Sequence, residues 1–415
     1  VVQRWWRLRF AGASPPRSLD DAVRETRALL EDAVAVREVA DVPVGALLSG
    51  GIDSSTVVAL LARRSSRPIQ TFSVEMPGGG GEAQWARMVA ARYGTDHHEL
   101  TMQARMVDLL PELVARYGEP FADPSALPTF QLAELARRHV TVALSGDGGD
   151  EAFGGYHRYA LEELARRVGE LPWPVPNLVH AVMRRLPGAR LRPAREFASH
   201  HWRSPVERYL FLLAHFSRRD KERLLGPALA GRATRDEVAA ELGRVLATSD
   251  AEDAVNRLLD LDTQTYLPDD IFTKVDIASM AHAVEVRAPF VDHLLLESLA
   301  RLPGSVKLRR FTGKHLLRLA VRDLLPVPIL KRAKRGFNLP LDRWMRDELA
   351  ELTRDLLTDT TARARGLFDE REVRRLLDEH ANGVSHGQRL WNLCVLELWL
   401  RAFVDSAPAA GRRCA

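Results

Sequence analysis

The chain has 415 residues, of which 46% are hydrophobic and 27% charged, a composition typical of a folded globular protein with two or three domains. No run of about 18 apolar residues occurs, so the sequence predicts no membrane span, and no secretory signal pattern opens the chain. The net charge is only +4, because 59 basic residues nearly balance 55 acidic ones, so the composition does not favour nucleic acid as a partner. The two cysteines, Cys394 and Cys414, suggest neither a disulfide framework nor a metal site and fit a reducing cytoplasm.

The predicted elements alternate between strands and helices in the first part of the chain. Residues 1–18 are predicted to be a linker broken by Gly12, Pro15 and Pro16, and a helix follows over residues 19–39. Short apolar runs predict four strands, at residues 42–48, 69–76, 97–100 and 140–144. Helices are expected between them, at residues 52–61, 82–93, 104–117 and 125–138. This alternation predicts an α/β fold with a doubly wound parallel sheet, in which ligands bind at the carboxyl ends of the strands.

The rest of the chain has a helical pattern, interrupted by prolines and rich in arginine up to residue 255. We therefore expect a linker at 1–18, an α/β core at 19–160 and a helical insertion at 161–260. A helical part that completes the site is expected at 261–405, and a disordered tail at 406–415.

The first candidate site is the loop that follows the first predicted strand. It carries the sequence Ser49-Gly50-Gly51-Ile52-Asp53-Ser54-Ser55. Two glycines allow the backbone to approach a ligand, and the helix that follows presents free N–H groups to an anion. The pattern is not a Walker loop, and an acid beside a phosphate requires a bridging cation, so the loop predicts Mg²⁺ with pyrophosphate. The alternative is a helix start in which these residues serve only as caps.

A second acidic loop follows the fourth predicted strand and reads Ser145-Gly146-Asp147-Gly148-Gly149-Asp150-Glu151. Its acids offer oxygen ligands for Mg²⁺, with one to spare for proton transfer. Since both loops follow strand ends, we expect them to meet at one crevice. Taken alone, the second loop could also be a calcium turn or a solvated surface loop.

Two further segments carry charged residues of interest. Residues 270–288 are predicted to form one helix, in which Lys274 could pair with an acid and Glu285 with Arg287 as a buried ion pair. Residues 331–338 form a basic loop, and Lys334 could steady the negative charge of leaving pyrophosphate. A structural ion-pair network and a solvated basic loop are the respective alternatives. Lysine is conspicuous in this chain, because nearly all its basic residues are arginine.

Two adjacent histidines, His97 and His98, are weaker candidates. Neighbouring residues on a strand point to opposite faces, so these side chains cannot share a metal ion.

Taken together, these motifs resemble the synthetase domain of the glutamine-hydrolysing, class B asparagine synthetases, which are N-type ATP pyrophosphatases. The resemblance rests on the two acidic loops and on Lys274-Val275-Asp276-Ile277-Ala278-Ser279-Met280, Glu285-Val286-Arg287-Ala288-Pro289-Phe290 and Lys334-Arg335-Gly336-Phe337. It covers nearly the whole chain. It implies a Rossmann-like PP-loop fold, ATP and Mg²⁺, and adenylation of the aspartate side-chain carboxylate followed by attack of ammonia to give asparagine and AMP.

The resemblance also implies roles for individual residues. Pyrophosphate is expected to bind Ser49, Gly50, Gly51, Asp53 and Ser54. Mg²⁺ is expected on Asp53 and Asp150, and the adenosine part on Leu48, Val74, Ser145 and Gly146. The expected catalytic residues are Lys334, Asp147, Glu285 and Lys274.

The sequence departs from the family pattern in two ways. Asp147 stands where the family commonly has a glutamate associated with the ammonia step, which weakens the case for aspartate as the substrate. No cysteine precedes Cys394, so the glutaminase domain of the family is absent here, and ammonia would come from that domain in cis or in trans, or from solution. The start at Val1 favours a fragment of a longer chain, and a homodimer is compatible with the resemblance.

Rival functions follow from the same motifs. A lasso-peptide-cyclase-like enzyme, or a natural-product or cell-surface amidotransferase, would activate a different carboxylate with the same chemistry. β-Lactam synthetases carry tyrosine at the position of Asp147, which argues against them. An RNA-modifying PP-loop enzyme would be expected to show a cysteine pair or an RNA-binding domain. A non-catalytic scaffold would not be expected to keep so many charged site residues.

Overall fold

We analysed a computed structural model of the chain. It describes residues 3–12, 14, 16, 18–76, 82–102, 106–170, 181, 204–229, 231–232, 236–334 and 339–405. The predicted tail at 406–415 and residues 335–338 of the predicted basic loop lie outside the described residues.

A parallel sheet forms the centre of the molecule and confirms the predicted fold class. Its strands are β1 (Val44–Leu47), β2 (Gln70–Glu75), β3 (Asp96–Thr101), β4 (Val142–Leu144) and β5 (Glu285–Arg287). They are arranged in the order β3-β2-β1-β4-β5, and every neighbouring pair is parallel. The chain moves outward from β1 through β2 to β3 and then crosses to the other side of β1. This change of direction opens a crevice at the carboxyl ends of β1 and β4, where open α/β sheets bind ligands.

The fifth strand corrects the prediction for residues 270–288. The predicted single helix is instead a π-helix (Leu267–Phe272), an α-helix (Thr273–Met280) and then β5. Ala283 adopts a left-handed backbone conformation with φ of 54°, which ends the helical path, and the chain then pairs with β4 through Val286 opposite Ala143. A strand of three residues with one apolar side chain has too little pattern to be distinguished from a helix in the sequence.

The helices around the first four strands lie close to the predicted positions. They are α1 (Leu19–Glu38), α2 (Ile52–Arg64), α3 (Glu82–Tyr93), α4 (Met106–Tyr117) and α5 (Ala126–Arg137). Two more helices, α6 (Gly149–Phe153) and α7 (His157–Gly169), begin where the sequence predicted no helix. Helix α1 begins where the sequence offers a cap, because the Ser18 side chain accepts a hydrogen bond from the Asp21 N–H at 3.0 Å.

The later part of the described chain is mostly helical, as predicted. Its α-helices are α8 (Pro205–Leu213), α9 (Arg218–Leu224), α10 (Glu237–Thr248), α11 (Ala254–Gln264), α12 (Thr273–Met280), α13 (His293–Ala300), α14 (Gly304–Lys307), α15 (His315–Ala320), α16 (Val327–Lys331), α17 (Leu341–Arg346), α18 (Ala350–Thr358), α19 (Thr360–Arg365), α20 (Glu370–Ala381) and α21 (Gly387–Trp399). Short 3₁₀ helices lie at Pro227–Leu229 and Pro289–Val291, and a second π-helix at Leu400–Asp405. None of the described helices is long and apolar enough to cross a membrane.

Apolar cores cover both faces of the sheet and fix its loops. On one face, α1, α2, α3, α13 and α15 pack around Ala46 and Leu144 of the central strands. On the other face, α5 packs against Phe72 of β2. A separate core joins α4 to the C-terminal helices and includes the buried Cys394. Because the central strands are held from both sides, the loops that follow them have a rigid base.

Candidate active site

The two acidic loops contact each other at the carboxyl ends of β1 and β4, as the sequence predicted. A Cβ atom on Gly146 would lie 2.6 Å from the Ser54 nitrogen, and one on Gly149 would lie 2.7 Å from Asp53 Oδ1. Both distances are too short for a side chain, so only glycine allows the second loop to reach the start of α2. The two loops therefore form one wall of a single site.

The first loop presents the start of α2 to the crevice. Gly51 lines the crevice and caps this helix without a side-chain hydrogen bond, so no capping side chain covers the first N–H groups of α2. The Ser49 backbone N–H donates to Ser54 Oγ at 3.2 Å, and the two hydroxyl groups lie 3.0 Å apart. This arrangement is suited to an anion, because free N–H groups and the helix dipole both favour negative charge.

Gly50 has a structural part in the same loop. Its φ is +68°, and a Cβ atom on it would lie 2.5 Å from the Trp85 side chain in α3. Gly50 does not line the cavity, whereas Ser49, Gly51, Asp53 and Ser54 do.

The crevice opens into a cavity of about 700 Å³ that contains most of the predicted site residues. Those lining it are Leu48, Ser49, Gly51, Asp53, Ser54, Val74, Ser145, Gly146, Asp147, Asp150, Lys274 and Lys334. The buried side chains of Leu48 and Val74 stand where β1 and β2 end, so they offer an apolar wall of the kind that a nucleoside requires.

Two carboxylates and two ammonium groups form a compact cluster in this cavity. Lys314 Nζ lies 2.5 Å from Asp53 Oδ2 and 2.6 Å from Asp150 Oδ1. Lys334 Nζ forms an ion pair with Asp150 Oδ2. Asp53 comes from the loop after β1 and Asp150 from the loop after β4, so Lys314 joins the two halves of the site. We call these four residues the charge cluster.

The charge cluster shifts the pKa values of its acids in opposite directions. Burial raises the pKa of Asp53, and the nearby Asp150 adds to this effect, although Lys314 opposes it. Burial acts on Asp150 in the same way, but Lys314 and Lys334 overcome it and hold the Asp150 pKa well below its usual range. Asp150 therefore stays charged at neutral pH and anchors both ammonium groups.

The same residues fit a magnesium ion. Asp53 Oδ1 is buried and has no hydrogen-bond partner, so one hard oxygen ligand is free in the wall of the site. Mg²⁺ commonly binds one or two carboxylates together with substrate phosphates, and the site supplies two carboxylates beside an anion-binding helix start. Among the described residues, no group of three or more histidine, cysteine, aspartate or glutamate side chains converges on a metal position, so the remaining ligands here would come from substrate phosphates and water.

The other end of the cavity is built around Lys274. This side chain is 8% exposed as a residue, and its Nζ lies 2.7 Å from Asp123 Oδ2. The Ser125 N–H and hydroxyl both donate to the Asp123 carboxylate, at 2.9 and 2.7 Å. Burial lowers the Lys274 pKa, but Asp123 and Asp270 outweigh it and raise the pKa, so Lys274 remains charged. The predicted pairing of Lys274 with an acid is thus present.

Asp147 lies between the two ends of the cavity. Burial raises its pKa, while a hydrogen bond with Ser145 and the charges of Lys274 and Lys334 oppose the rise. A carboxylate with a raised pKa and positive neighbours is suited to accept a proton near neutral pH. The shorter side chain of Asp147, compared with glutamate, still reaches the cavity.

Glu285 does not lie with the other predicted site residues. It is on the edge strand β5, outside the cavity, and its carboxylate accepts a hydrogen bond from Arg287 Nε at 2.6 Å. The side chain of Glu285 is 56% exposed and that of Arg287 22% exposed, so the expected buried ion pair is a partly solvated one. We therefore remove Glu285 from the proposed catalytic set.

The two histidines of β3 have structural contacts on opposite faces, as predicted. His97 Nδ1 lies 2.9 Å from Thr71 Oγ1, whereas the His98 ring stacks on His139 with centroids 3.7 Å apart.

Several residues of the cavity were not predicted from the sequence. Lys314 is the clearest case, and Asp123, Arg318 and Tyr156 line the same cavity. The rarity of lysine in an arginine-rich chain was a usable signal for Lys314, since it follows Gly313 directly before a helix. Its distance of 261 positions from Asp53 gave no indication of their contact.

A parallel α/β sheet with a Ser-Gly-Gly loop and two converging carboxylates at its switch point has the architecture of a PP-loop nucleotide-binding domain. The model of the asparagine synthase family matches residues 25–401. The chain belongs to this family, which confirms the resemblance predicted from its motifs.

Similar proteins include asparagine synthetases and an amidase. A Mycobacterium tuberculosis protein provisionally named a glutamine-hydrolysing asparagine synthetase is 38% identical over 98% of this chain and 62% of its own length. Asparagine synthetase 1 of Bacillus subtilis is 30% identical over 92% of the chain and 59% of its own length. The amidase chry2 of Gibberella zeae is 26% identical over 90% of the chain and 61% of its own length. The chain thus spans about three fifths of the length of the relatives it matches.

Proposed function

We propose that this chain is the synthetase part of an ATP-dependent, amide-forming ligase that converts aspartate into asparagine. The reaction begins with adenylation of the aspartate side-chain carboxylate and release of pyrophosphate. Ammonia then attacks the acyl-adenylate and AMP leaves. The observation that carries the proposal is the convergence of Asp53 and Asp150 on Lys314 and Lys334 beside the open start of α2.

The phosphate chemistry is assigned to the wall that bears the charge cluster. Ser49, Gly51, Ser54 and the first N–H groups of α2 bind the β- and γ-phosphates of ATP. Lys334, whose Nζ pairs with Asp150, is assigned to stabilise the negative charge that grows as the bond between the α- and β-phosphates breaks. Leu48 and Val74, with Ser145 and Gly146, hold the adenosine part. In this assignment, the α-phosphate would face Asp147 and Lys274, which line the same cavity.

The metal assignment is part of the same proposal. Asp53 and Asp150 would hold Mg²⁺ through their carboxylates, one of which has an unpartnered buried oxygen. When bound, the ion supplies charge neutralisation for the pyrophosphate group.

The acyl chemistry is assigned to the end of the cavity around Lys274. A side-chain carboxylate held near Lys274 attacks the α-phosphorus, and pyrophosphate leaves with the electrons of the broken bond. In the second step, the ammonia nitrogen attacks the carbonyl carbon, and Asp147 accepts the proton that nitrogen must lose. The raised pKa of Asp147 supports this role, because a stronger base near neutral pH accepts a proton more readily.

A related reaction on a different carboxylate is the second candidate. It is supported by the aspartate at position 147, where the resembled family commonly has glutamate, and by relatives named as amidases. The nucleotide chemistry would be the same, and the difference would lie in the acid that fits beside Lys274.

We further propose that ammonia comes from glutamine through a glutaminase domain, in cis or in trans. The names of the relatives include glutamine hydrolysis, and this chain spans about 62% of the length of the first of them. The described cavity supplies the synthetase half of such a reaction.

A pyrophosphate-release assay tests the proposal. The purified chain is incubated with ATP, Mg²⁺ and ammonium, together with aspartate or one member of a panel of other carboxylic acids. We expect pyrophosphate and AMP in equal amounts with aspartate. Release with another acid and not with aspartate would replace the first candidate by the second. Pyrophosphate release in the absence of any added carboxylic acid would contradict both.

A further inference from the structure

The Lys314 ammonium occupies a bridging position between two carboxylates from different loops. Its Nζ is 2.5 Å from Asp53 Oδ2 and 2.6 Å from Asp150 Oδ1. A cation between carboxylate oxygens of two loops is the arrangement that a divalent metal ion adopts with hard oxygen ligands. In this structure, a tethered cation of the chain itself takes that position.

Nearby glycines leave the space that the Lys314 side chain occupies. A Cβ atom on Gly155 would lie 2.2 Å from Lys314 Cε and 1.9 Å from Asp150 Oδ1. One on Gly313 would lie 2.2 Å from the Gly154 carbonyl oxygen. Lys314 lines the cavity but is only 3% exposed, so its contacts are not those of a freely moving surface lysine.

The backbone of the preceding turn also directs Lys314 into the site. Arg310, Phe311 and Lys314 have φ values of 50°, 62° and 56°, in the left-handed region that disfavours non-glycine residues. The Lys314 N–H donates to the Phe153 carbonyl oxygen at 3.1 Å, next to the loop that carries Asp150. Unfavourable backbone conformations of this kind concentrate at ligand-binding sites, where the surrounding structure enforces them.

The charge balance explains why such a cation is needed before nucleotide binds. Asp53 and Asp150 are balanced by Lys314 and Lys334, so the charge cluster is neutral as a set. Adding Mg²⁺ alone would leave excess positive charge in a buried site, which is unfavourable. The phosphates of ATP bring the negative charge that balances both the metal ion and the two lysines.

We propose that Lys314 is a positioning residue that occupies the metal position in the nucleotide-free protein and yields it when metal arrives with nucleotide. It keeps Asp53 and Asp150 at bridging distance and prevents the metal from binding alone. This inference rests on the proposed metal role of those two acids. It makes metal binding depend on nucleotide through one side chain.

Metal binding, measured by titration of Mn²⁺ with electron paramagnetic resonance, tests the inference without any turnover. The wild-type chain should bind Mn²⁺ at this site only when a non-hydrolysable ATP analogue, with a methylene group between the α- and β-phosphorus atoms, is present. In Lys314→Met, Mn²⁺ alone should bind at least about tenfold more tightly than in the wild type, since a contacting positive charge is removed. Lys314→Arg, which keeps the charge, should bind Mn²⁺ as weakly as the wild type.

Lys334→Met is the matched control, because it removes the same charge from Asp150 without a bridge to Asp53. An equal gain in Mn²⁺ affinity in Lys334→Met and Lys314→Met, or no gain in the latter, would overturn the inference. Wild-type protein that binds Mn²⁺ equally well with and without the analogue would also overturn it, independently of any variant. Absence of Mn²⁺ binding in both conditions would instead remove the metal role of Asp53 and Asp150, and with it the basis of the proposed function.

Discussion

The substitution Lys334→Met separates function from stability within the charge cluster. The Lys334 side chain is 41% exposed, and its contact within the cluster is to Asp150, which Lys314 also neutralises. An ion pair with this exposure contributes about 0–1 kcal/mol to the free energy of unfolding, so the variant should remain folded. Methionine keeps most of the length of the side chain and removes only the charge.

The effect on the reaction should be much larger. A preorganised positive group that meets charge developing in the transition state contributes on the order of 3–4 kcal/mol, which corresponds to about 10²–10³ in rate. We therefore expect pyrophosphate formation in Lys334→Met to fall by about 10²–10³, while the dissociation constant for ATP changes much less.

The assay is initial-rate pyrophosphate release with saturating ATP, aspartate and ammonium, with thermal unfolding and ATP binding measured on the same preparations. Lys331→Met is the control, because this neighbouring lysine is exposed and lies outside the cavity. The control should release pyrophosphate at the wild-type rate. A rate for Lys334→Met within about threefold of the control would refute the role given to Lys334.

Three further predictions follow from the same contacts. Asp53→Asn should abolish pyrophosphate release in the same assay, because an amide is a much weaker metal ligand than a carboxylate; unchanged release would contradict the metal assignment. Gly155→Ala should destabilise the protein by about 1–3 kcal/mol in denaturant unfolding and reduce activity, because its Cβ atom would overlap Asp150 and Lys314, whereas Gly169→Ala meets no atom within 4 Å and serves as the steric control. Burial lowers the Lys307 pKa to about 7, so the unfolded chain binds more protons between that value and the ordinary lysine pKa. The free energy of unfolding should therefore rise as the pH increases from 7 to 9, and Lys307→Met should flatten this rise; an unchanged slope would contradict the shift.

The local part of the site was predictable because its chemistry lies in short segments. The loops at 49–54 and 145–151 each combine a strand end, glycines and acids, and parallel topology brings strand ends together. The cavity accordingly contains residues from both loops, together with Lys274 and Lys334. The roles of these residues remain predictions that the assays above are designed to test.

The missed features depend on contacts between distant parts of the chain. Lys314 meets Asp53 across 261 positions, and nothing in the sequence near either residue indicates that contact. The strand β5 was missed for a local reason, because its three residues carry too little hydrophobic pattern to be told apart from the helix that precedes them. The reversal at Ala283, with φ of 54°, is enforced by tertiary packing and not by a glycine that sequence patterns could detect. Glu285 lies on this strand and outside the cavity, although the resemblance implied a catalytic role for it.

Transfer of oxygen from the substrate to AMP tests the central claim most directly. Aspartate labelled with ¹⁸O in its side-chain carboxylate is incubated with the chain, ATP, Mg²⁺ and ammonium, and the AMP is analysed by mass spectrometry. If the carboxylate attacks the α-phosphorus, one ¹⁸O atom is found in each AMP formed, together with one pyrophosphate. Unlabelled AMP, or formation of ADP and phosphate in place of AMP and pyrophosphate, would contradict adenylation at the site formed by Asp53, Asp150 and Lys334.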